Sequence, residues 1–135
     1  MTREETARNY HKSGCNCAQA VAMAFEDKTP FDVDQLFTIT EGLGAGGGNM
    51  RGTCGALAAA YMIAGMLNST KDHNEPTSKA STYKINKQLA EKFSELTGAQ
   101  NCPDLKGIFT GKVLCSCPDC VGYGARVLAE YLGEE

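Results

Sequence analysis

Apolar residues along this chain recur at helical rather than strand-like spacing. Cys17, Val21 and Phe25, for example, are each four residues apart and therefore share one helix face. The helices predicted from such spacing cover residues 2–10, 17–25, 33–39, 54–67, 78–97 and 118–132. Convincing strands are absent from the pattern, although residues 37–40 could equally be extended. The sequence therefore predicts an all-α protein with one domain, residues 1–135, built as a compact bundle of about five helices.

Several of these helices carry start signals of their own. Three begin with a capping box, in which a polar residue and a Glu or Gln three positions later bond each other's backbone. The three pairs are Thr2 with Glu5, Asn16 with Gln19, and Asp32 with Gln35. Thr53 is the predicted N-cap of the apolar helix that Cys54 opens. Pro118 suits the first position of the last helix, which makes Cys117 its N-cap and places Cys120 in its first turn.

Five glycines among the seven residues 42–48 exclude a regular helix or strand there. The segment formally matches the G-x-G-x-x-G fingerprint of dinucleotide-binding folds, but those folds need a strand before it and another after the next helix. The polar stretch 71–76 stands where that second strand would be, and a P-loop lysine is also missing. We interpret the segment as a turn, either tightly wound so that Cys54 can be approached closely, or plainly mobile.

Net charge and composition exclude several classes of partner and location. The formal net charge of -3 and the isoelectric point of about 5.4 argue against nucleic acid or an anionic membrane as a partner. Glu4 and Glu5 precede a short apolar stretch that a polar residue interrupts, which argues against a signal peptide. We therefore expect a cytoplasmic protein in a reducing compartment, where clustered thiols more often serve metal or redox chemistry than disulfide staples.

The seven cysteines are the most informative residues for chemistry. Their number is odd and their share, 7 of 135 or about 5%, lies below the roughly 8–10% of small disulfide-stapled proteins. Four lie at or just inside predicted helix starts, namely Cys17, Cys54, Cys117 and Cys120. Helix N-termini carry unpaired N–H groups and a positive partial charge. We therefore expect these positions to favour the thiolate, the form that attacks disulfides and binds metals.

Cys115, Cys117 and Cys120 form the densest cysteine pattern, C-x-C-x-x-C. A C-x-x-C pair at a helix start is typical of dithiol redox motifs, because the helix end stabilises one thiolate while its neighbour resolves a mixed disulfide. The same spacing suits two ligands of a tetrahedral metal site. A third interpretation is that the three cysteines are small hydrophobic residues packed beneath a helix end.

The remaining polar candidates carry weaker signals. His11 and His73 are interpreted as lone surface histidines, because neither has the second histidine of a helical metal pair. Asp104 and Asp119 lie near cysteines and could accept protons, although solvated or capping carboxylates are common at such positions. No Ser-His-Asp order and no pair of carboxylates indicates a hydrolase.

Together these residues resemble the redox-active family named for its C-GCAxxG-C-C cysteine pattern. The matching segments are 16–20, 46–48 leading to 54–56, 102–107, and 117–121. They cover most of the chain, from about Tyr10 to Leu132. One departure is visible, because Ala59 stands where the pattern has the glycine that closes its central motif. If that glycine serves close helix packing, the change alters the fit of the helices without touching the thiols.

The resemblance implies an all-helical protein with four characteristic cysteines, which are Cys17, Cys54, Cys102 and Cys120. Some members of the family are selenoproteins, which favours redox reactivity over inert burial. A related segment is also similar to part of the split-Soret cytochromes, where an iron–sulfur centre is inferred. Haem is not expected here, because Val121 follows Cys120 where the C-x-x-C-H attachment signature has its histidine.

The leading hypothesis is a small redox protein in which those four cysteines converge, with Cys117 as the partner of Cys120. As a dithiol carrier, it would attack the disulfide of a redox partner protein through Cys54 or Cys120 and resolve it with a neighbouring thiol. As a cluster protein, four thiolates would hold an iron–sulfur centre and pass single electrons. The alternative is a binding module without turnover, in which a zinc site of four cysteines staples the helices. The sequence leaves these alternatives and homo-oligomer formation open.

Overall fold

The computed structural model of the chain describes residues 1–134, and its framework is helical. Within that range seven α-helices follow one another: α1 (Arg3–Lys12), α2 (Cys17–Met23), α3 (Val33–Thr40), α4 (Gly55–Asn68), α5 (Lys79–Thr97), α6 (Cys102–Lys106) and α7 (Cys117–Tyr131). The described residues form no strand, and an isolated antiparallel bridge joins Thr53 to Asn101. The predicted all-α class is confirmed. Six of the seven helices correspond to the predicted segments, and the seventh, α6, is too short to show a periodic pattern of its own.

The three predicted capping boxes are present and fix where α1, α2 and α3 begin. At α2, the Asn16 side chain accepts a hydrogen bond from the Gln19 N–H at 2.9 Å, and the Gln19 side chain accepts one from the Asn16 N–H at 2.9 Å. The same reciprocal bonds join Thr2 with Glu5 and Asp32 with Gln35. An N-cap bond of this kind stabilises a helix by about 1 kcal/mol. Because the signal is local, these starts could be predicted from sequence.

The starts of α4 and α7 differ from the predicted ones. Thr53 does not cap α4, because the chain is held there by the bridge to Asn101 and Cys54 occupies the N-cap position without a side-chain bond. At α7 the N-cap is Ser116 and not Cys117, so the helix begins one residue earlier than predicted. A serine oxygen accepts a hydrogen bond from a backbone N–H better than a cysteine sulfur does, which explains why Ser116 is the N-cap.

Three helices, α2, α4 and α7, form the centre of the fold. Helix α1 packs on α2 and α7, α3 packs on α2, and α5 packs on α4 and α7. Residues 18–23 of α2 are all buried. Gly124 of α7 lies so close to α4 that a Cβ at this position would be 2.8 Å from the Cβ of Ala56. Small residues at such contacts let the helices approach, while Phe25 and Phe93 fill the space around them.

Helix α4 contains the residue at which the chain departs from the family pattern. This residue, Ala59, stands in place of the motif glycine and is completely buried. The helix runs only from Gly55 to Asn68, although it is the most apolar in the chain. Among residues 1–134, no helix is both long enough and apolar enough to cross a membrane.

Charged side chains fasten α1 to α7. The Glu4 carboxylate accepts hydrogen bonds from the guanidinium groups of Arg126 at 2.8 Å and Arg8 at 3.0 Å. Burial by itself raises the pKa of Glu4, but the two guanidinium groups outweigh burial and hold this pKa below its usual value. Arg8 also forms an ion pair with Asp119 near the start of α7, at 2.9 Å. The ionised form of Glu4 therefore stabilises the contact between the first and last helices.

Replacing Glu4 with Gln is expected to lower the free energy of unfolding by about 1 kcal/mol at pH 7, because two arginines lose their anionic partner. The folded-state pKa of Glu4 is lowered, so its contribution is complete above the unfolded-state value near 4.5 and is lost as the pH falls through the folded-state value. Urea unfolding at pH 7 and pH 3 measures the difference between the variant and the wild type, which should shrink at pH 3.

The control for this experiment is Glu95→Gln, at an exposed position of α5 that forms no ion pair within residues 1–134. This variant should unfold like the wild type at both pH values. A loss in Glu4→Gln that is equally large at pH 7 and pH 3 would contradict the assigned role of the carboxylate charge.

Candidate functional site

Four of the seven helices begin at one cavity of about 190 Å³. Helices α2, α4, α6 and α7 each bring cysteine to it at or within the first turn. The cysteines that line the cavity are Cys17, Cys54, Cys102, Cys117 and Cys120. These are all of the cysteines that the sequence singled out as catalytic or ligating. Cys15 and Cys115 lie outside the lining. The structure thus brings the predicted cysteines together, while their roles remain predictions.

The five cavity cysteines differ in their access to solvent. Cys54, Cys102 and Cys120 are almost completely buried, Cys17 is partly buried, and Cys117 is exposed. A large molecule can therefore reach Cys117 directly, whereas the other four thiols are accessible only through the cavity or through exchange with one another.

Three of the cavity thiols are neighbours. Cys17 and Cys54 are near enough to influence each other's pKa, and so are Cys54 and Cys120. The Cys120 thiol also donates a hydrogen bond to the carbonyl oxygen of Cys115 at 3.7 Å. The row formed by Cys17, Cys54 and Cys120 joins α2, α4 and α7, so it brings together sulfur atoms from three distant parts of the sequence.

Burial and neighbouring sulfur atoms keep two of these thiols protonated. The neighbouring Cys54 sulfur, together with burial, raises the pKa of Cys17 well above its usual value. The neighbouring Cys120 sulfur, together with burial, raises the pKa of Cys54 to about 11. The N–H groups of Ala18 and Ala56, at the two helix starts, lower these two pKa values, but by less than burial and the neighbouring sulfur atoms raise them. The prediction that helix starts favour the thiolate is therefore wrong for Cys17 and Cys54.

Lys106 belongs to the site although the sequence analysis did not identify it. It lies one turn after Cys102 on α6, with its Nζ atom 3.6 Å from Cys120 Sγ and 3.3 Å from the carbonyl oxygen of Cys115. The Cys117 sulfur also lies near enough to influence the pKa of Lys106. Burial lowers the pKa of Lys106, but the sulfur atoms of Cys120 and Cys117 outweigh burial and raise it, so the ammonium group stays charged. An anionic sulfur at either cysteine is stabilised by this cation.

His11 is a second site residue that the sequence did not assign. The prediction of a lone surface histidine is wrong at this position, because His11 lines the cavity. Burial and the nearby charge of Lys106 lower its pKa, so the imidazole is neutral at pH 7. His73 is exposed between α4 and α5, in agreement with the prediction. Neither aspartate reaches the cavity, since Asp119 forms an ion pair with α1 and Asp104 is exposed.

The glycine-rich segment forms one wall of the cavity through tight turns. Glu41–Leu43 is a 3-10 turn, and Gly46–Met50 is a π-type turn interrupted by left-handed residues. Gly46 has a φ of 62°, and a Cβ at this position would lie 2.7 Å from the Cβ of Cys102. Of the two interpretations of this segment, the tightly wound turn is the one present, and its close approach is to Cys102 rather than Cys54. The described residues place no strand before it, so the fold is not a dinucleotide-binding one.

Gly55, directly after Cys54, makes room for the sulfur of Cys17. A Cβ at Gly55 would lie 2.5 Å from Cys17 Sγ and 2.8 Å from the carbonyl oxygen of Leu43. Atoms do not approach a real Cβ this closely, so a larger residue would displace Cys17 or shift the neighbouring turn. The contact between α2 and α4 at the cavity therefore requires a residue without a side chain at Gly55.

The four cysteines predicted as metal ligands share the cavity without forming a coordination site. Within residues 1–134, no group of three or more His, Cys, Asp or Glu side chains is arranged to hold a metal ion.

Together, the fold and the site define an all-helical protein in which four helix starts enclose a group of thiols beside a lysine. The chain belongs to the family described as "Putative redox-active protein (C_GCAxxG_C_C)", whose model matches residues 15–131. The resemblance drawn from the cysteine pattern is therefore confirmed. No curated protein and no solved structure matches the chain.

Replacing Gly55 with Ala is expected to destabilise the fold by about 1–3 kcal/mol, because the added Cβ collides with Cys17 Sγ and a backbone carbonyl. Gly65→Ala is the matched control in the same helix. Its Cβ would lie 3.7 Å from the nearest side chain, so the higher helix propensity of Ala should add up to about 1 kcal/mol. Urea unfolding compares the two variants. Wild-type stability in Gly55→Ala would show that the cavity is not built around this contact.

Replacing Lys106 with Met is expected to slow the alkylation of Cys117 and Cys120 about tenfold near neutral pH, because the cation that stabilises anionic sulfur is removed. Lys106→Arg should retain most of the rate, and Lys92→Met, at an exposed position of α5, should retain all of it. Iodoacetamide labelling followed by peptide mass spectrometry gives the rate at each cysteine. Equal rates in Lys106→Met and the wild type would remove this residue from the site.

Proposed function

We propose that this protein is a thiol–disulfide exchanger that passes two electrons at a time between a partner disulfide and its own cysteines. The observation that carries the proposal is the pair Cys117 and Cys120 at the start of α7, one exposed and one buried, with Lys106 in contact with both. Cys54 supplies a third thiol in contact with Cys120. Membership of a redox-active family supports the same conclusion at a coarser level.

The first reaction takes place at the exposed sulfur. The Cys117 thiolate attacks one sulfur of the partner's disulfide, so the partner's S–S bond breaks and a mixed disulfide forms. The departing partner sulfur leaves as a thiolate and takes up a proton. Lys106 stabilises the negative charge on the attacking sulfur, as the oxyanion-stabilising cations of other enzymes do for oxygen.

The second reaction releases the partner. Cys120 loses its proton and attacks the Cys117 sulfur of the mixed disulfide, forming a Cys117–Cys120 bond and freeing the second partner thiolate, which is then protonated. The chain has lost two electrons and two protons, and the partner's disulfide has become two thiols. Every step is reversible, so the protein reduces or oxidises its partner according to their relative potentials.

The row of thiols gives Cys54 a role in the same scheme. A proton leaves Cys54, and its sulfur attacks Cys120, so a Cys54–Cys120 bond replaces the Cys117–Cys120 bond and Cys117 regains its proton. The step is an isomerisation and needs no further oxidant. It moves the disulfide from the surface to buried sulfur atoms. The cytoplasmic location expected from the sequence would supply the reductants that restore the thiols.

Two other functions compete with this proposal. One is electron transfer through an iron–sulfur cluster, and the other is stabilisation of the fold by a structural zinc site. Both are supported by the convergence of Cys17, Cys54, Cys102 and Cys120 on one cavity. Both require these thiolates to surround the metal. No such group of ligands is formed within residues 1–134, whereas an exposed and a buried cysteine three residues apart, beside Lys106, suit dithiol exchange. Dithiol chemistry is therefore the function that the geometry favours.

Titration of free thiols tests the proposal. Wild-type protein purified without air should be colourless and metal-free, and it should lose two free thiols on treatment with oxidised glutathione. Cys120→Ser should stop at a mixed disulfide on Cys117, because the resolving sulfur is missing. Cys54→Ser should still form the Cys117–Cys120 bond but should lose the buried Cys54–Cys120 bond, which peptide mapping under non-reducing conditions detects.

Cys15→Ser is the matched control, because Cys15 packs against the core without lining the cavity. Its thiol loss on oxidation should equal that of the wild type. Brown protein with visible absorption would instead establish the cluster, and stoichiometric zinc with loss of cooperative unfolding on chelation would establish the structural metal site. Either of these outcomes would replace the dithiol proposal.

A further inference from the structure

The loop between α6 and α7, residues 107–114, exposes an unusual number of large apolar side chains. Their exposed fractions are 41% for Ile108, 68% for Phe109, 61% for Val113 and 45% for Leu114. Soluble monomers rarely expose contiguous apolar area of this kind unless something binds there. A loop that only had to connect two helices could have carried polar residues at these positions.

This loop is held in place by backbone hydrogen bonds rather than left free. The Ile108 N–H donates to the carbonyl of Pro103 at 3.0 Å, and the Leu114 N–H donates to the carbonyl of Leu105 at 2.9 Å. Lys106 closes the base of the loop through its 3.3 Å bond to the Cys115 carbonyl. The apolar side chains are therefore presented on a fixed backbone, which lowers the entropy cost of binding a partner.

The apolar surface continues to the mouth of the thiol cavity. Met50 is exposed and also lines the cavity, and the guanidinium of the adjacent Arg51 lies 4.6 Å from the centre of the Phe109 ring. On its other side the loop leads directly into Cys117, the exposed cavity cysteine. We call the surface formed by Met50, Ile108, Phe109 and Val113 the loop surface. A molecule that covers it is brought next to the Cys117 sulfur.

Cations outnumber carboxylates around the loop surface, although the formal net charge of the chain is -3. Arg51, Lys106 and Lys112 lie in the loop or against it. Asp104 of α6 is exposed nearby, and Asp119 at the start of α7 is paired with an arginine of α1. A binding partner with an acidic surface is therefore attracted to this side of an acidic protein.

We infer that the loop surface is the docking site for an acidic protein that carries an exposed disulfide or dithiol. The inference rests on the proposed function and names the class of its partner. A small disulfide reaches Cys117 without contacting Phe109 or Val113, so the apolar area benefits only a macromolecule. A second copy of the chain fits poorly, because a two-fold interface at this surface would bring two like-charged cationic patches together.

The test compares a protein disulfide with a small one. Oxidised thioredoxin, an acidic protein with an exposed disulfide, and oxidised glutathione serve as the two probes, and exchange is followed in both directions. The wild type should exchange faster with thioredoxin than with glutathione at about 20 mM salt, and the thioredoxin rate should fall at about 200 mM salt. The double variant Phe109→Ser with Val113→Ser should lose about tenfold of the thioredoxin rate and keep the glutathione rate.

Two further variants complete the design. Leu67→Ser with Tyr83→Ser removes comparable apolar side chains that are exposed on α4 and α5, and should leave both rates unchanged. Arg51→Glu with Lys112→Glu should abolish the salt dependence of the thioredoxin rate, and should lower the glutathione rate by less, because oxidised glutathione carries a smaller negative charge. Size-exclusion chromatography of each variant reports whether the loop surface instead joins two copies of the chain.

Several outcomes would overturn the docking inference. A wild type that exchanges no faster with thioredoxin than with glutathione, or a loop variant that loses both rates equally, would leave the thiol chemistry standing without a protein docking site. A dimer that the loop variant converts to a monomer would assign the surface to self-association. Absence of exchange with either probe in the wild type would reject the proposed function itself.

Discussion

Helices α2, α4, α6 and α7 all begin at the thiol cavity, and this convergence of positive helix ends constrains every group that lines it. Each start presents unpaired N–H groups and about half a positive charge, and Lys106 adds a full charge. Hydrocarbon side chains would leave the N–H groups unsatisfied, whereas several buried carboxylates would be costly. Sulfur can be buried and still accept N–H bonds, as Cys17 does from Ala18.

The same convergence depends on residues that have no chemistry of their own. Gly55 leaves the volume that the Cys17 sulfur occupies, and Gly46 lets the glycine-rich turn reach Cys102. On the far side of α4, Gly124 lets α7 approach closely enough to bring the start of that helix to the cavity. A methyl group at any of these glycines would meet an atom at less than van der Waals distance. The position of the sulfur atoms is therefore a consequence of helix packing, and stability and reactivity are linked at this end of the fold.

Sequence patterns predicted those parts of the structure that neighbouring residues determine. The Asn16–Gln19 capping box is one example, because both partners lie within one turn. The grouping of the predicted cysteines at helix starts was also visible, since a C-x-x-C pair and a family pattern mark it. Lys106 and His11 were missed because their place at the site depends on a five-residue helix and on tertiary contacts. The protonation of Cys17 was mispredicted for a related reason, since burial and a second sulfur outweigh a helix end that is visible in sequence.

The sulfur atoms of the cavity differ in burial and in their distance from the Lys106 charge. These differences favour one order of steps in the proposed exchange. Lys106 lies at the mouth beside Cys117 and Cys120, so negative charge is best stabilised where a partner can reach it. Farther in, burial and the raised pKa of Cys54 make that thiol a poor first nucleophile, and the proposed scheme therefore uses it as a resolving group. A disulfide formed at the mouth can therefore pass inward, whereas a buried thiol does not react with solvent oxidants directly.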